Sequence, residues 1–571
     1  MRQRFSALAL ALALLCACFL PSCGQETAEE ARPVIYIPLD NRPINDLQVR
    51  LLARSLGMEL LMPEESLYAS AINGAVTAAG LQYGDRAALL AWLMEHEKDA
   101  DVIVLYLDQL LSGGLMNSRC MEGSNTVTLP DGRSFSEYDI IDYVASLAET
   151  HTLYVIDSQF RLATSNDYLD FTMDDYTISR AYGQLERPAL KESASIEDVI
   201  ALYTVLADGS DPAAAAELTE EQAAYFFSGE PSPLSRYLAI RERKLRLNAY
   251  ALQTLYTLPQ VRYFFGVDDS AAGNNIQSLE YTYLNRLAGG TLEKLSAIDC
   301  LGELAISCLS NERCGSESVS VSVRYYGSKD SALNYAGHTV SEAVEQTLRL
   351  CGGTKTDSDA EVDILVACDA GSEEASLQAG QALIAQLKEN TAKEQPTIYL
   401  DFAGAVNPAL PCDAEITLLL SAGLHANGSG ASAIMGISQG FARYRALQSG
   451  ELLGESCHEA FLQELLLMFA KGYYWKSQSK WEMEQGLNEM GLSGTNLTMA
   501  DEEQLTQIGQ MLTEKINASS AAILESFKGG KYITSLSPYK TKSVRSAAIE
   551  NCRYPWLRNF EFTADLTVRL W

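Results

Sequence analysis

At 571 residues, with 47% hydrophobic and 20% charged residues, the chain is long enough for two or three domains with sizeable cores. Its 74 Asp and Glu against 43 Lys and Arg give a formal charge of −31. No Lys/Arg cluster is present to grip a phosphate backbone, which argues against nucleic acid as a partner.

The first element is a leader. Arg2 and Arg4 precede an apolar run from Phe5 to Leu20 that stops at Pro21, the charged start and short apolar stretch of an export signal. The run is shorter than the roughly 20 residues a bilayer span needs, and no second run of that length follows. It ends in Leu20-Pro21-Ser22-Cys23-Gly24, which resembles the lipobox of bacterial lipoproteins. That resemblance implies a signal peptide over 1–22, a lipid on Cys23 and a polar tether over 23–32. It places the protein in the cell envelope, outside the cytoplasm, with the membrane as a partner through the lipid. Cys16 and Cys18 leave with the leader. The later cysteines, from Cys120 to Cys552, are scattered singly with no CxxC, so neither a disulfide framework nor structural zinc is predicted, although one or two pairs could bridge.

From residue 33 short β-rich runs alternate with longer helical patterns, which predicts parallel strands joined by helices. The predicted strands are Val34–Leu39, Leu60–Met62, Val102–Leu107, Leu153–Ile156, Val261–Val267, Leu295–Ile298, Val362–Cys368 and Thr397–Leu400. The fold class is therefore α/β, with a (β/α)-barrel-like parallel core, a helical C-terminal region and a terminal β segment. Two further β-like runs, Val319–Tyr326 and Ile416–Ala422, exceed an eight-strand count and support a competing parse into two α/β domains. The expected organisation is an α/β region over 33–310 with an insertion near 207–233, a second over 311–450, and a helical region over 451–571. A charged helix is expected from Leu234 to Leu255, and alternation over Asn559–Leu570 predicts an edge strand or hairpin.

All but one of the predicted strands end at or near an Asp: Asp40, Asp108, Asp157, Asp268, Asp299, Asp369 and Asp401. Ligand sites in parallel α/β folds form at these carboxyl ends, so an acidic crater is predicted. Asp is also a common turn former and helix cap, and for any single position that role is the stronger expectation. Val261 to Val267 runs straight into Asp268 and Asp269. Adjacent carboxyls do not ionise independently, and such a pair yields one proton donor and one anion. Asp40-Asn41-Arg42, flanked by Pro38 and Pro43, packs donors and acceptors for sugar hydroxyls or a carboxylate. Asp108 to Gly114, then Asn117 and Arg119, and Asp157 to Arg161 are weaker signals. Gly436-Ile437-Ser438-Gln439-Gly440 fits G-x-S-x-G, but the residues before it look helical, whereas a nucleophile elbow needs a strand there.

Together, Pro38-Leu39-Asp40-Asn41-Arg42-Pro43, Asp108 through Gly113-Gly114 to Ser118-Arg119, Gly266-Val267-Asp268-Asp269 with Gly273, and Pro555-Trp556 through Phe560-Glu561 resemble the bacterial domain-of-unknown-function family 4127. The likeness runs from about Pro33 to the end and implies no activity. The chain departs from it at Ala297-Ile298-Asp299-Cys300, where the family tends to Gly-Ala-Asp-Glu, and at Gly423-Leu424-His425-Ala426, where it tends to Gly-Trp-Asn-Thr.

The first functional expectation is a retaining glycoside hydrolase resembling barrel hexosaminidases. There one carboxyl protonates the leaving oxygen while its neighbour orients the substrate's own acetamido group as nucleophile. Asp269 is cast as the acid and Asp268 as the orienter. Asp40, Asn41, Arg42, Asp108, Arg161 and Asp299 are cast as binding the carbohydrate or other small ligand, with no cofactor and no resident metal. The alternative is a non-catalytic surface lipoprotein that binds a glycan or solute, with Cys300 and Leu424 marking lost catalysis. A third is a metal-dependent hydrolase using the same Asp crater.

Overall fold

The computed structural model describes residues 32–77, 80–166, 168–315, 318–333, 337–403, 418–424, 430–448 and 453–571. The predicted leader, Cys23 and the predicted tether up to residue 31 lie outside these residues, as does His425. Six parallel strands form the first sheet: β1 (Val34–Ile37), β2 (Leu60–Leu61), β3 (Val102–Tyr106), β4 (Thr152–Gln159), β5 (Val261–Val267) and β6 (Leu295–Ser296), in the order β2-β1-β3-β4-β5-β6. Alternate residues serve opposite faces. Val34 and Tyr36 pack with Val49 and Leu52 of helix Leu47–Ser55 and with Leu301 and Leu304 of helix Leu301–Arg313. Ile35 and Ile37 pack with Leu89, Leu90 and Leu93 of helix Arg86–His96. With both faces covered, these strands read as unbroken apolar runs rather than as alternation.

The second sheet is built the same way from β7 (Val319–Tyr326), β8 (Gly353–Lys355), β9 (Val362–Ala367), β10 (Thr397–Asp401) and β11 (Leu419–Leu424), in the order β8-β7-β9-β10-β11, again all parallel. Both sheets start with the second strand outside the first, the doubly wound pattern whose loops diverge between the first and third strands and open a crevice there. Among the described residues neither sheet closes on itself. The α/β class stands, and the core is two open parallel sheets rather than the barrel-like one expected.

Helices Leu301–Arg313 and Ala431–Gln448 fill the layer between the sheets, in one apolar cluster that joins Val104 and Tyr106 to Ile398 and Leu400. The G-x-S-x-G match is part of this packing. A Cβ on Gly436 would lie 2.2 Å from Leu400 Cδ2, and one on Gly440 2.4 Å from Ile398 Cδ1. Ser438 is buried inside the helix, not exposed at a strand end.

The C-terminal region opens with helix Glu455–Met468, continues as a π-helical stretch over Phe469–Ser479 and ends in an antiparallel sheet. That sheet orders β12 (Lys531–Leu536), β13 (Tyr539–Arg553) and β14 (Thr563–Leu570) in sequence, so the predicted terminal β segment is an edge strand. Among the described residues no helix is long and apolar enough to cross a membrane. The eight described cysteines are free thiols, six of them buried, as expected of small apolar side chains.

Candidate functional site

The crevice beside β1 is organised by a buried arginine. Asp40 follows β1 with 0% of its surface exposed. It holds the Arg42 side chain through Nε at 3.0 Å and Nη2 at 2.7 Å, and it also accepts the Arg42 backbone N–H at 3.0 Å. Asn45 Nδ2 donates to the same carboxylate at 3.0 Å. Arg42 Nη2 then reaches Asp299 Oδ1 at 2.6 Å. Burial alone would weaken Arg42 as a cation, but Asp299 and Asp40 outweigh it and lift its pKa well above the usual arginine value. Asp299 follows β6 through Ala297, a left-handed residue at φ 65° where the resembled family carries Gly. Its side chain is 36% exposed, so this carboxylate is open to solvent.

Asn41 ties the crevice to the far end of the chain. Its Nδ2 donates to Glu65 Oε1 at 3.0 Å, and its Oδ1 accepts from Trp556 Nε1 at 3.1 Å. The Trp556 ring lies under the Arg42 guanidinium at 5.1 Å, a cation–π contact, and stacks on Phe560. The segment joining β13 to β14 thus folds back onto the loop after β1.

At the end of β5 the two adjacent carboxyls meet different surroundings. Asp268 is buried, and both Arg119 contacts, from Nε at 2.8 Å and from Nη2, fall on Oδ2. Among the described residues no hydrogen bond falls on Oδ1. Burial raises the Asp268 pKa, Arg119 opposes it, Asp269 adds to it, and the outcome is about 6. Asp269 is turned the other way by a left-handed backbone at φ 34°, which Asp tolerates better than most residues and which is often found at functional sites. Its side chain is 30% exposed and pairs with Arg161 Nη1 at 3.1 Å. Arg161 is held by the carbonyls of Ala163 and Thr164 and stacks over Tyr176.

Of the residues singled out in the sequence, Asp40, Arg42 and Asp299 form one bonded cluster with Asn41 beside it, and Asp268 and Asp269 with Arg119 and Arg161 form a second, which Asp299 reaches electrostatically through Asp268; together they make up this region. Asp108 stands apart from it. It is 1% exposed and pairs with Lys244 Nζ at 2.6 Å, which also reaches Asp157 at 3.2 Å. These two strand-end acids fasten the sheet to helix Pro233–Leu255 rather than face solvent. Asp369 and Asp401 act as turn formers, accepting the backbone N–H of Gly371 and Ala403 at 2.9 Å. Among the described residues no three His, Cys, Asp or Glu side chains gather as a metal-binding group. Cys300, where the resembled family has Glu, is fully buried with its Sγ 3.2 Å from Ala297 O.

Several groups at the site had no role assigned from the sequence. Arg119 was visible as a cation after Gly113-Gly114 but had no assigned partner. Lys471 and Lys476, on the π-helical stretch, line one pocket with Glu561, beyond Trp556. Lys471 Nζ lies 2.8 Å from Glu561 Oε2 and 2.8 Å from Gln48 Oε1. Burial opposes ionisation of Glu561, yet Lys471, Arg42 and Lys476 together hold its pKa near about 2. The family model described as "Protein of unknown function (DUF4127)" matches residues 34–167 and 194–565. No curated protein and no solved structure matches the chain.

Proposed function

Because the chain belongs to the DUF4127 family, whose description names no activity, we propose its function from the site alone: a glycoside hydrolase acting on glycans outside the cytoplasm through Asp268 and Asp269. The observation that carries this reading is the unlike setting of two neighbouring carboxyls. Asp268 is buried with a pKa of about 6 and one oxygen without a hydrogen-bond donor among the described residues, which suits a proton donor. Asp269 is solvent-facing and braced by Arg161, which suits the group that orients the substrate's acetamido nucleophile. These roles exchange the ones expected from sequence, because it is Asp268 that burial favours in protonated form. Asp299 and Arg42 supply a carboxylate and a guanidinium for sugar hydroxyls.

A panel of aryl glycosides, assayed with and without chelator, is expected to show release of the aryl alcohol that chelation leaves unchanged. No turnover on any sugar, combined with a calorimetric signal for glycan, would replace this reading with glycan or solute binding. That second reading is favoured by one observation: Asp40, Asp268, Asp269 and Asp299 are each already paired with an arginine. Loss of turnover on chelation would point to metal-assisted hydrolysis.

The leader supports an address for this activity, the cell envelope, through lipid on Cys23. Cys23→Ser is expected to abolish incorporation of labelled palmitate and to move the protein from the membrane to the soluble fraction. Labelling that survives the substitution would overturn the anchor.

A further inference from the structure

Resting on the glycosidase reading and narrowing its substrate, we propose that the pocket between Lys471, Lys476 and Glu561 binds the carboxylate of an acidic sugar, so that the site takes a carboxylate-bearing glycan. Residues five apart on an α-helix point about 140° away from each other. On a π-helical stretch, whose i→i+5 hydrogen bonds widen the turn, they come much closer to one face. Phe469–Ser479 is π-helical, and Lys471 and Lys476 line one pocket.

The two ammonium groups are not equivalent. Lys471 is satisfied by Glu561 and Gln48. Lys476 makes no ion pair among the described residues. Its Nζ sits 4.6 Å over the Phe560 ring, and burial, helped by Lys480 and Lys471, pulls its pKa down to about 8. Lys480 Nζ, 5.8 Å over the same ring, adds a second cation on the rim. In a chain of charge −31, this is a local excess of positive charge where an anion would be drawn in.

The pocket measures about 40 Å³, with Ile44, Met435 and Met468 as its apolar wall. At roughly 10–15 Å³ for one water-sized group, that space admits a small polar group such as a carboxylate. Arg42, two residues before Ile44, links it to the acid cluster. It pairs with Asp299 on one side and acts electrostatically on Glu561 and Lys476 on the other.

The test is calorimetric binding of a hyaluronan tetrasaccharide, which alternates acetamido sugars with glucuronate, against its carboxyl-reduced neutral form. Asp268→Asn serves as the background so that turnover does not interfere. The acidic form is expected to bind at least about tenfold more tightly, since a charge-assisted contact is roughly twice as strong as a neutral one. Lys476→Met should abolish that preference and leave the neutral form's affinity unchanged, whereas Lys476→Arg should retain it. Unchanged melting and circular dichroism of Lys476→Met exclude misfolding as the cause. Equal affinity for the two forms, binding of neither, a preference that survives Lys476→Met, or full displacement by sulfate at matched ionic strength would each overturn the proposal. A carboxylate preference without turnover on any glycoside would leave this site standing and remove the hydrolase reading. Turnover of glycosides without the preference would do the reverse.

Discussion

Asp268→Asn is expected to lower kcat by about 10²–10⁴-fold on any glycoside the protein cleaves, the range associated with loss of a positioned proton donor. Asn keeps the shape and an oxygen for Arg119 and removes the titrating proton; because it also leaves the buried Arg119 charge without its anion above about pH 6, the variant's melting is measured alongside. The wild-type pH profile of kcat/KM should fall as pH rises through about 6, where Asp268 loses its proton. The variant's residual activity should lack that limb. Arg119→Ala should move the limb upward, because the guanidinium is the main group opposing the effect of burial. A limb unchanged in Asp268→Asn would assign the donor elsewhere. Stability follows the same linkage. A carboxyl whose folded pKa is raised favours the protonated folded state, so its contribution is complete below the unfolded value near about 3.9 and is lost as pH rises through about 6.

Much of the fold was legible because burial on both faces leaves a simple mark. Val261–Val267 has the same ends in the sequence pattern and in the structure, and so does Val319–Tyr326, although only its Val319 and Val321 face is buried and Arg324 on the other is exposed. The strands starting at Val34, Leu60, Val102, Leu295 and Val362 end one or two residues earlier than predicted, because the last apolar residue belongs to the following turn or helix, as at Leu107, which starts helix Leu107–Ser112. Those predicted as Leu153–Ile156 and Thr397–Leu400 run on to Gln159 and Asp401, and Gly353–Lys355 was missed. What the pattern could not distinguish was one barrel from two sheets, since each reads as the same alternation of strand and helix. The decision lies in whether β6 pairs onward, a long-range contact with no local signature. Strand β13 was missed for a different reason. Tyr539–Arg553 is half solvent-facing and polar, with Lys540, Lys542, Arg545 and Glu550 in its run, so it lacks the apolar continuity that marked the parallel strands.

The site was legible on its acidic side and illegible on its basic one. Strand-end carboxylates announce themselves through the strand that precedes them. Asp108 and Asp157 carry the same signature as Asp268, yet the buried Lys244 turns them into fasteners. Nothing near them in sequence shows that partner. Lys471 and Lys476 were hidden by geometry, because on an α-helix their spacing places them on different faces. Glu561 and Trp556 lay some 500 residues from the loop they complete. The resemblance over Pro555 to Glu561 marked the segment without giving it a place.

Arg241→Ala is expected to destabilise the protein by about 3–5 kcal/mol, the usual cost of leaving a buried charge unpaired. Arg241 is fully buried and grips Glu280 with Nε at 2.9 Å and Nη2 at 2.7 Å. Its Nη1 donates to the backbone carbonyl of Arg161 at 2.6 Å and to Tyr237 OH at 3.1 Å, and its guanidinium stacks over Phe160 at 4.9 Å. Glu280 has further donors in Tyr203 OH at 2.8 Å and Gln159 Nε2 at 3.3 Å, which do not cancel its charge. Two effects should therefore separate. Glu280→Gln alone should cost stability, because Arg241 then keeps its charge without a matching anion. The double variant Arg241→Met with Glu280→Gln should recover part of the loss, with a coupling of about 0.5–3 kcal/mol in urea denaturation. The carbonyl that Arg241 holds belongs to Arg161, whose guanidinium braces Asp269. Any variant lacking the Arg241 side chain should thus bind glycan more weakly even when the stability loss has been recovered. Full affinity in the recovered double variant would show that the Arg161 loop stands without this support.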